Sequence, residues 1–265
     1  MAFEELKERQ SFAWGNGPFE DIADTIADVH GTLVDSLQPA EGKRWLDVAC
    51  GTGELTRLAS ATGADVVGID FAPPLIETAK RLAAEQGLEV DYRVGDAENL
   101  DLEDASFDVV SSSFGVMFAP DQARAAAELA RVTRPGGRLG LATWMPGGGI
   151  GDMFRMMAQF QPPPPEGAGM PLDWGRPERV KELLGDAFEL QIEERNSPFE
   201  VESADEYWTK FTPAFGPCKT LLDTLDENGR EEVRRAFFDY LEQFGSPGGP
   251  IAQPREYLLV LGTRR

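Results

Sequence analysis

Three aspartates and one glycine turn carry the chemistry of this sequence. Asp47 lies near the end of an apolar run in WLDVACGTGELT (45–56), just ahead of Gly51-Thr52-Gly53. Asp70 closes a second apolar run, VVGID at 66–70. Asp96, followed by Ala97, closes a third, VDYRVGD at 90–96. Glycines where a strand turns into a helix let a ligand lie against the backbone with no Cβ in the way. A phosphate is the usual guest of such a turn, yet the carboxylate of Asp47 would repel it. As plain helix-capping acids, one or two of these residues would be expected, not three in series. The set calls for a ligand that brings cations and hydrogen-bond donors and carries no phosphate.

The surrounding elements place these residues. Over 1–40, Ile22, Ile26, Val29, Leu33 and Leu37 recur at helical spacing, one amphipathic stripe that Pro39 ends. Alternation then predicts strands at 44–49, 66–70, 90–96, 107–114 and 138–144, and helices at 54–62, from Pro73 to 86, and from Asp121 to Thr133, with a tight turn at Arg134-Pro135-Gly136-Gly137. Strands alternating with helices give right-handed crossovers and a parallel sheet covered on both faces. Ligands of such a sheet sit at the carboxyl ends of its strands, which is where the three aspartates and Ser113, at the fourth strand end, fall. MPGGGIG (145–151) reads as a flexible joint and PPPP (162–165) as a stiff one. A helix at 177–186, a strand at 188–195, mostly helix over 203–244 and a last strand at 255–265 complete the chain. The stretches 147–175 and 200–250 depart from the alternation, as substrate lids do.

Composition removes several alternatives. The 265 residues are 42% hydrophobic and 27% charged, with a net charge of −21. Such a surface repels phosphate backbones, so a nucleic-acid partner is disfavoured. No apolar run reaches the roughly 20 residues of a membrane span, and MAFEELKERQ lacks a signal peptide's apolar stretch, so the expected location is the cytoplasm. Cys50 and Cys218 make no CxxC pair, which predicts neither a disulfide framework nor a metal site. The oligomeric state is not legible.

S-Adenosylmethionine (SAM) has the required chemistry: an ammonium, a sulfonium, a ribose diol, an adenine amine and no phosphate. Asp47 can neutralise the ammonium, Asp70 can accept from both ribose hydroxyls, Asp96 from the adenine amine, and Ala97 can offer a backbone N–H to the ring. A nicotinamide dehydrogenase fits less well. Its fingerprint needs G-x-G-x-x-G, and Thr56 stands at the third glycine. LDVACGTGELT, VVGIDFAPPLIETAK, VGDAENLDLEDASFDVVSSSFGVMFAPD and RVTRPGGRLGLATW together resemble the motifs of class I SAM-dependent methyltransferases, most of all the ubiquinone/menaquinone C-methyltransferase branch. The motif-bearing part is 44–144. The resemblance implies an α/β Rossmann-like doubly wound sheet of seven strands in the order 3-2-1-4-5-7-6, the last antiparallel, with a helical lid. It implies cofactor contacts at Asp47, Gly51, Gly53, Thr56, Asp70, Asp96, Ala97 and Ser113. Ala49 departs from the pattern, since many relatives carry Gly there.

The expected organisation is an N-terminal helical cap (1–40), a SAM-binding core (41–146), and a remainder (147–265) holding two lid insertions, about 147–175 and 200–250. The expected function is methyl transfer to a small, apolar or aromatic acceptor, with a non-catalytic SAM-binding protein as the alternative. The sulfonium is already electrophilic, so positioning and water exclusion can supply most of the catalysis. His30, the only histidine, is the candidate base. Trp14, Phe19, Met117, Phe118, Trp144 and Tyr207 are the candidates for the acceptor pocket, with core packing as the competing use of each.

Overall fold

The computed structural model describes residues 3–38, 40–246 and 248–265. Pro39, expected to end the N-terminal segment, lies outside the described residues. Ahead of it stand three helices rather than one stripe: α1 (Glu4–Trp14), α2 (Glu20–Asp24) and α3 (Ala27–Leu37). The break after α1 falls in Gly15-Asn16-Gly17-Pro18, a turn composition that helical periodicity alone passes over. Ile26, Val29, Leu33 and Leu37 are buried, while Ile22, on α2, is only partly covered.

The central alternation follows: β1 (Arg44–Val48), α4 (Glu54–Ser60), β2 (Asp65–Asp70), α5 (Pro73–Glu85), β3 (Asp91–Val94), β4 (Phe107–Ser113), α6 (Gln122–Val132) and β5 (Thr133–Trp144). β1 is sealed between β2 and β4, and Trp45 and Leu46 are fully buried. Such burial stabilises by roughly 1.5–3 kcal/mol per large side chain. The tight turn expected at 134–137 is a bulge inside β5. Thr133 pairs with Phe107 and Arg138 with Val109, and the four residues between loop out.

Beyond β5 come α7 (Gly148–Ala158), α8 (Pro177–Leu184), β6 (Phe188–Asn196), β7 (Phe199–Val201), α9 (Ala204–Ala214), α10 (Gly216–Thr224), α11 (Glu227–Leu241), β8 (Ile251–Gln253) and β9 (Glu256–Arg264). The main sheet has seven strands in the order β3-β2-β1-β4-β5-β9-β6, with only the C-terminal strand antiparallel to its neighbours. This is the expected order once β7 and β8, a separate two-stranded ribbon, are set aside. The glycine stretch read as a flexible joint is in fact the start of α7. A Cβ at Gly149 would run into the Pro254 carbonyl, so this glycine serves close packing.

A buried polar chain ties the helical insert together. The Tyr207 hydroxyl donates to Gln253 Oε1 (3.0 Å), the Gln253 amide donates to the Tyr240 hydroxyl, and Tyr240 donates to the Gly149 carbonyl (2.9 Å). Every member is satisfied, so α7, α9, α11 and β8 are held in one relative arrangement.

Candidate functional site

The turn after β1 is built from backbone first. Gly53 caps α4 with φ 83°, and a Cβ there would strike the Tyr92 hydroxyl. Thr56 sits beneath it, fully buried, donating to the Gly53 carbonyl (2.7 Å) and meeting Tyr92. Two non-glycine residues adopt the same left-handed region nearby, Ala49 (φ 56°) and Phe114 (φ 55°). Gly115 packs on Ala49 so closely that a Cβ would meet both the Ala49 Cβ and its carbonyl. The tips of the adjacent strands β1 and β4 are thus pressed together. Strain of this kind collects where a site over-determines its backbone.

On this base two carboxylates stand side by side. Asp47 is 1% exposed and Asp70 4%. Asp70 accepts from the Gly51 N–H and the Ala72 N–H, both at 2.9 Å. Asp47 accepts from the Ser111 hydroxyl at 2.8 Å, and that oxygen accepts from the Trp45 indole at 2.8 Å. Burial pushes the Asp47 carboxyl up to about 7, with the Ser111 hydrogen bond opposing and the Asp70 charge adding. Burial pushes Asp70 up to about 6 against the N–H bonds of Ala72 and Gly51. Neither carboxylate has an ion-pair partner among the described residues. Two neighbouring buried acids of this kind suit a ligand that supplies cations and donors, and they oppose a pyrophosphate.

One cavity opens over these carboxylates, and its walls are aromatic. Trp14 stands edge-on to Phe19, Phe118 and Phe215 at 5.5, 4.8 and 5.5 Å between ring centroids. Phe154 extends the cluster, meeting Phe118 at 6.0 Å. Phe114 stacks on Trp144 at 3.5 Å with planes 6° apart, closing the side towards β5. His30, 5% exposed, lines the same cavity, and its Nδ1 is buried with no hydrogen-bond partner among the described residues. Burial pushes this imidazole down to about 4, with Asp28 pulling up and Arg57 pulling down.

A family model described as a methyltransferase domain matches residues 46–141. The uncharacterized protein Rv1405c of Mycobacterium tuberculosis is 34% identical over 261 residues, covering 95% of this chain and 93% of the relative. A demethylmenaquinone methyltransferase of Thermus thermophilus is 42% identical over 137 residues, 51% of this chain and 54% of that one. The solved structure of a putative methyltransferase from Bacillus halodurans aligns with a TM-score of 0.62 at 20% identity, covering 88% of this chain and 97% of that one, a likeness of fold. The chain belongs to the class I SAM-dependent methyltransferases. SAM is accordingly its methyl donor.

In this methyltransferase the structure brings Asp47, Gly51, Asp70, Ser113, Trp14 and Phe19 to one cavity, together with Phe118, Trp144 and His30. Gly53 and Thr56 lie in the layer beneath it. Asp96 and Ala97 do not line it. β3 ends at Val94, and Asp96 sits just beyond in an isolated bridge to Asn99, facing a neighbouring groove between α1 and α5. Its Oδ2 accepts from Lys7 of α1 at 2.7 Å, and its Oδ1 from the Glu98 N–H at 2.9 Å. Lys7 also pairs with Glu98. Burial works against the ammonium, but the hydrogen bonds to Asp96 and Glu98 prevail and raise its pKa. Met117 and Tyr207, expected at an acceptor pocket, do not line this cavity. Met117 is fully buried in the core, and the Tyr207 hydroxyl is committed to Gln253.

Sequence reasoning missed Ser111 and Trp45, which orient Asp47, and Phe154, Phe215 and Arg255 on the cavity wall. Ser111 was findable, since it lies opposite Asp47 in the β1–β4 register. The wall residues come from elements whose packing no local pattern announces. Among the described residues, no helix is long and apolar enough to cross a membrane and no group of acids, cysteines or histidine could hold a metal.

Proposed function

We propose that this methyltransferase methylates a small, apolar or aromatic acceptor seated between the strand tips and the aromatic wall. The observation that carries the reading is one cavity with an acidic floor, Asp47 and Asp70, and walls of Trp14, Phe118, Phe154 and Phe215. When bound, SAM supplies a methyl group on a sulfonium, open to in-line displacement. Asp47 faces its ammonium, oriented by Ser111. Asp70 receives the ribose diol, and Gly51 and Gly53 leave the backbone approachable. Ser113, whose hydroxyl is buried without a partner among the described residues, offers a further polar contact. Asp96, outside this cavity and held by Lys7, and Ala97 would meet the adenine edge only where it passes Phe71, which borders both the cavity and the neighbouring groove.

The wall excludes water from the acceptor end of the cavity. A non-catalytic SAM-binding protein would have no use for such a wall. His30 orients the acceptor. Its lowered basicity, about 4, suits accepting a hydrogen bond from an acceptor hydroxyl better than carrying away its proton. Transfer of a tritiated methyl group from SAM, run over a panel of phenols, quinols and aromatic acids, tests the reading. Labelled product from an aromatic acceptor supports it. Tight SAM binding with no transfer to any member would replace it with a binding role.

A further inference from the structure

Arg255 lies at the end of the cavity remote from the aspartates. It is 5% exposed and belongs to the same wall as His30 and Trp144. Its Nε donates to the Ser197 carbonyl at 2.7 Å and its Nη1 to the Thr25 hydroxyl at 2.8 Å. Its Nη2 donates to the Thr25 carbonyl and, at 3.2 Å, to the Ser197 hydroxyl. Every acceptor is a neutral oxygen. Among the described residues the guanidinium forms no ion pair. The nearest acid in the network, Asp28, is reached only through the Ser197 hydroxyl, which donates to it at 2.8 Å. A guanidinium carries five N–H groups, so one on Nη1 is left over.

A buried charge is ordinarily paired, because desolvating it alone is costly. That cost shows here as an Arg255 pKa pushed down by burial to about 10. The surrounding bonds and the Phe199 ring, 5.2 Å from the guanidinium, hold the side chain in place, and the Asp28 charge offsets the burial only in part. These contacts fix the guanidinium for a partner that arrives from the cavity.

The topology sets its distance from the donor floor. Arg255 immediately precedes β9, whose Tyr257 pairs with Trp144 at the end of β5. Asp47 of β1 pairs with Ser111 of β4, and Ser113 of β4 pairs with Ala142 of β5. Three strand spacings of about 4.8 Å therefore separate the β1 and β9 positions along the carboxyl edge, roughly 14 Å in all. The cavity has a negative pole at β1 and β2 and a positive pole at β9, with aromatic rings between. A cationic donor and an anionic acceptor would each find the opposite charge at its own end.

We propose that Arg255 receives a carboxylate of the methyl acceptor, so that the acceptor class is an apolar aromatic acid. This rests on the methyltransferase reading above and names its substrate class. The test uses the full chain loaded with S-adenosylhomocysteine, with 2-naphthoate and the neutral 2-naphthamide as matched probes in calorimetry. The acid is expected to bind at least tenfold more tightly than the amide. Arg255→Gln should erase that preference, and Arg255→Lys should retain part of it, with S-adenosylhomocysteine affinity unchanged in both. Equal binding of the two probes by the unaltered protein, absence of binding included, overturns the proposal, as does a preference that survives in Arg255→Gln. The comparison on the unaltered chain stands even where a variant fails to fold. Failure of the cofactor product to bind at all would instead sink the methyltransferase reading, so the two failures are distinguishable.

Discussion

The floor and the wall of the cavity are built by different means. The floor is made by neighbours in a β-sheet. Asp47, Asp70 and Ser113 are placed by strand register, and the turns beside them by left-handed backbone at Gly51, Gly53, Ala49 and Phe114. The wall is made by side chains from α1, α7, the segment after β4 and the α9–α10 junction, which meet only through tertiary packing. A register cannot shift by a fraction of a residue, whereas edge-to-face rings tolerate exchange and re-packing. On the function proposed above, the floor would fix one donor, and the wall would be free to be adapted to an acceptor.

The sharpest way to break that contrast is at the floor. Asp70→Ala is expected to weaken SAM binding at least 100-fold, equivalent to about 2.7 kcal/mol, in titration calorimetry. A change below about threefold would mean that the floor does not grip the donor. Acidity acts on the same residues. If Asp47 and Asp70 hold the donor as proposed, binding calls for both carboxylates ionised, so below about pH 7 a proton must leave Asp47 and below about pH 6 another must leave Asp70. Affinity should hold steady above pH 7.5 and fall roughly 10- to 100-fold by pH 5.5, since each displaced proton costs up to tenfold per pH unit. Asp47→Asn should flatten the part of this curve between pH 6 and 8.

Smaller effects sharpen the comparison. Gly115→Ala drives a methyl into Ala49, and should cost about 1–3 kcal/mol in chemical unfolding. Phe154→Ala, on the wall, should leave SAM affinity within about twofold while shifting turnover towards bulkier acceptors in a methyl-transfer panel. Equal damage to donor binding would erase the division. Ala49→Gly removes a left-handed alanine and should change thermal stability by no more than about 1 kcal/mol, upward if strain dominates.

The same division governs what could be read from residues alone. The β-strands from 44 to 113 were legible because glycine turns and apolar runs are local signals, the sheet order followed from the resemblance to a known family, and strand-end position brought Asp47, Asp70 and Ser113 to one cavity. The three-helix start was not, because the periodicity of Ile22 to Leu37 spans the gap after α2 without a break. The wall was legible only in part. Of the residues named for it, Trp14, Phe19, Phe118 and Trp144 line the cavity while Met117 and Tyr207 face the core, a difference composition does not carry. Arg255 sat unnoticed at the head of REYLLVLGTRR because its partners, Thr25 and Ser197, are distant in sequence.

The ammonium of Lys7 joins the opening helix to the loop after β3 through Asp96 and Glu98. Seven residues further along that helix, about 10 Å, Trp14 contributes its ring to the cavity. Trimming the amino terminus past this lysine would thus loosen an indole that the cut never reaches.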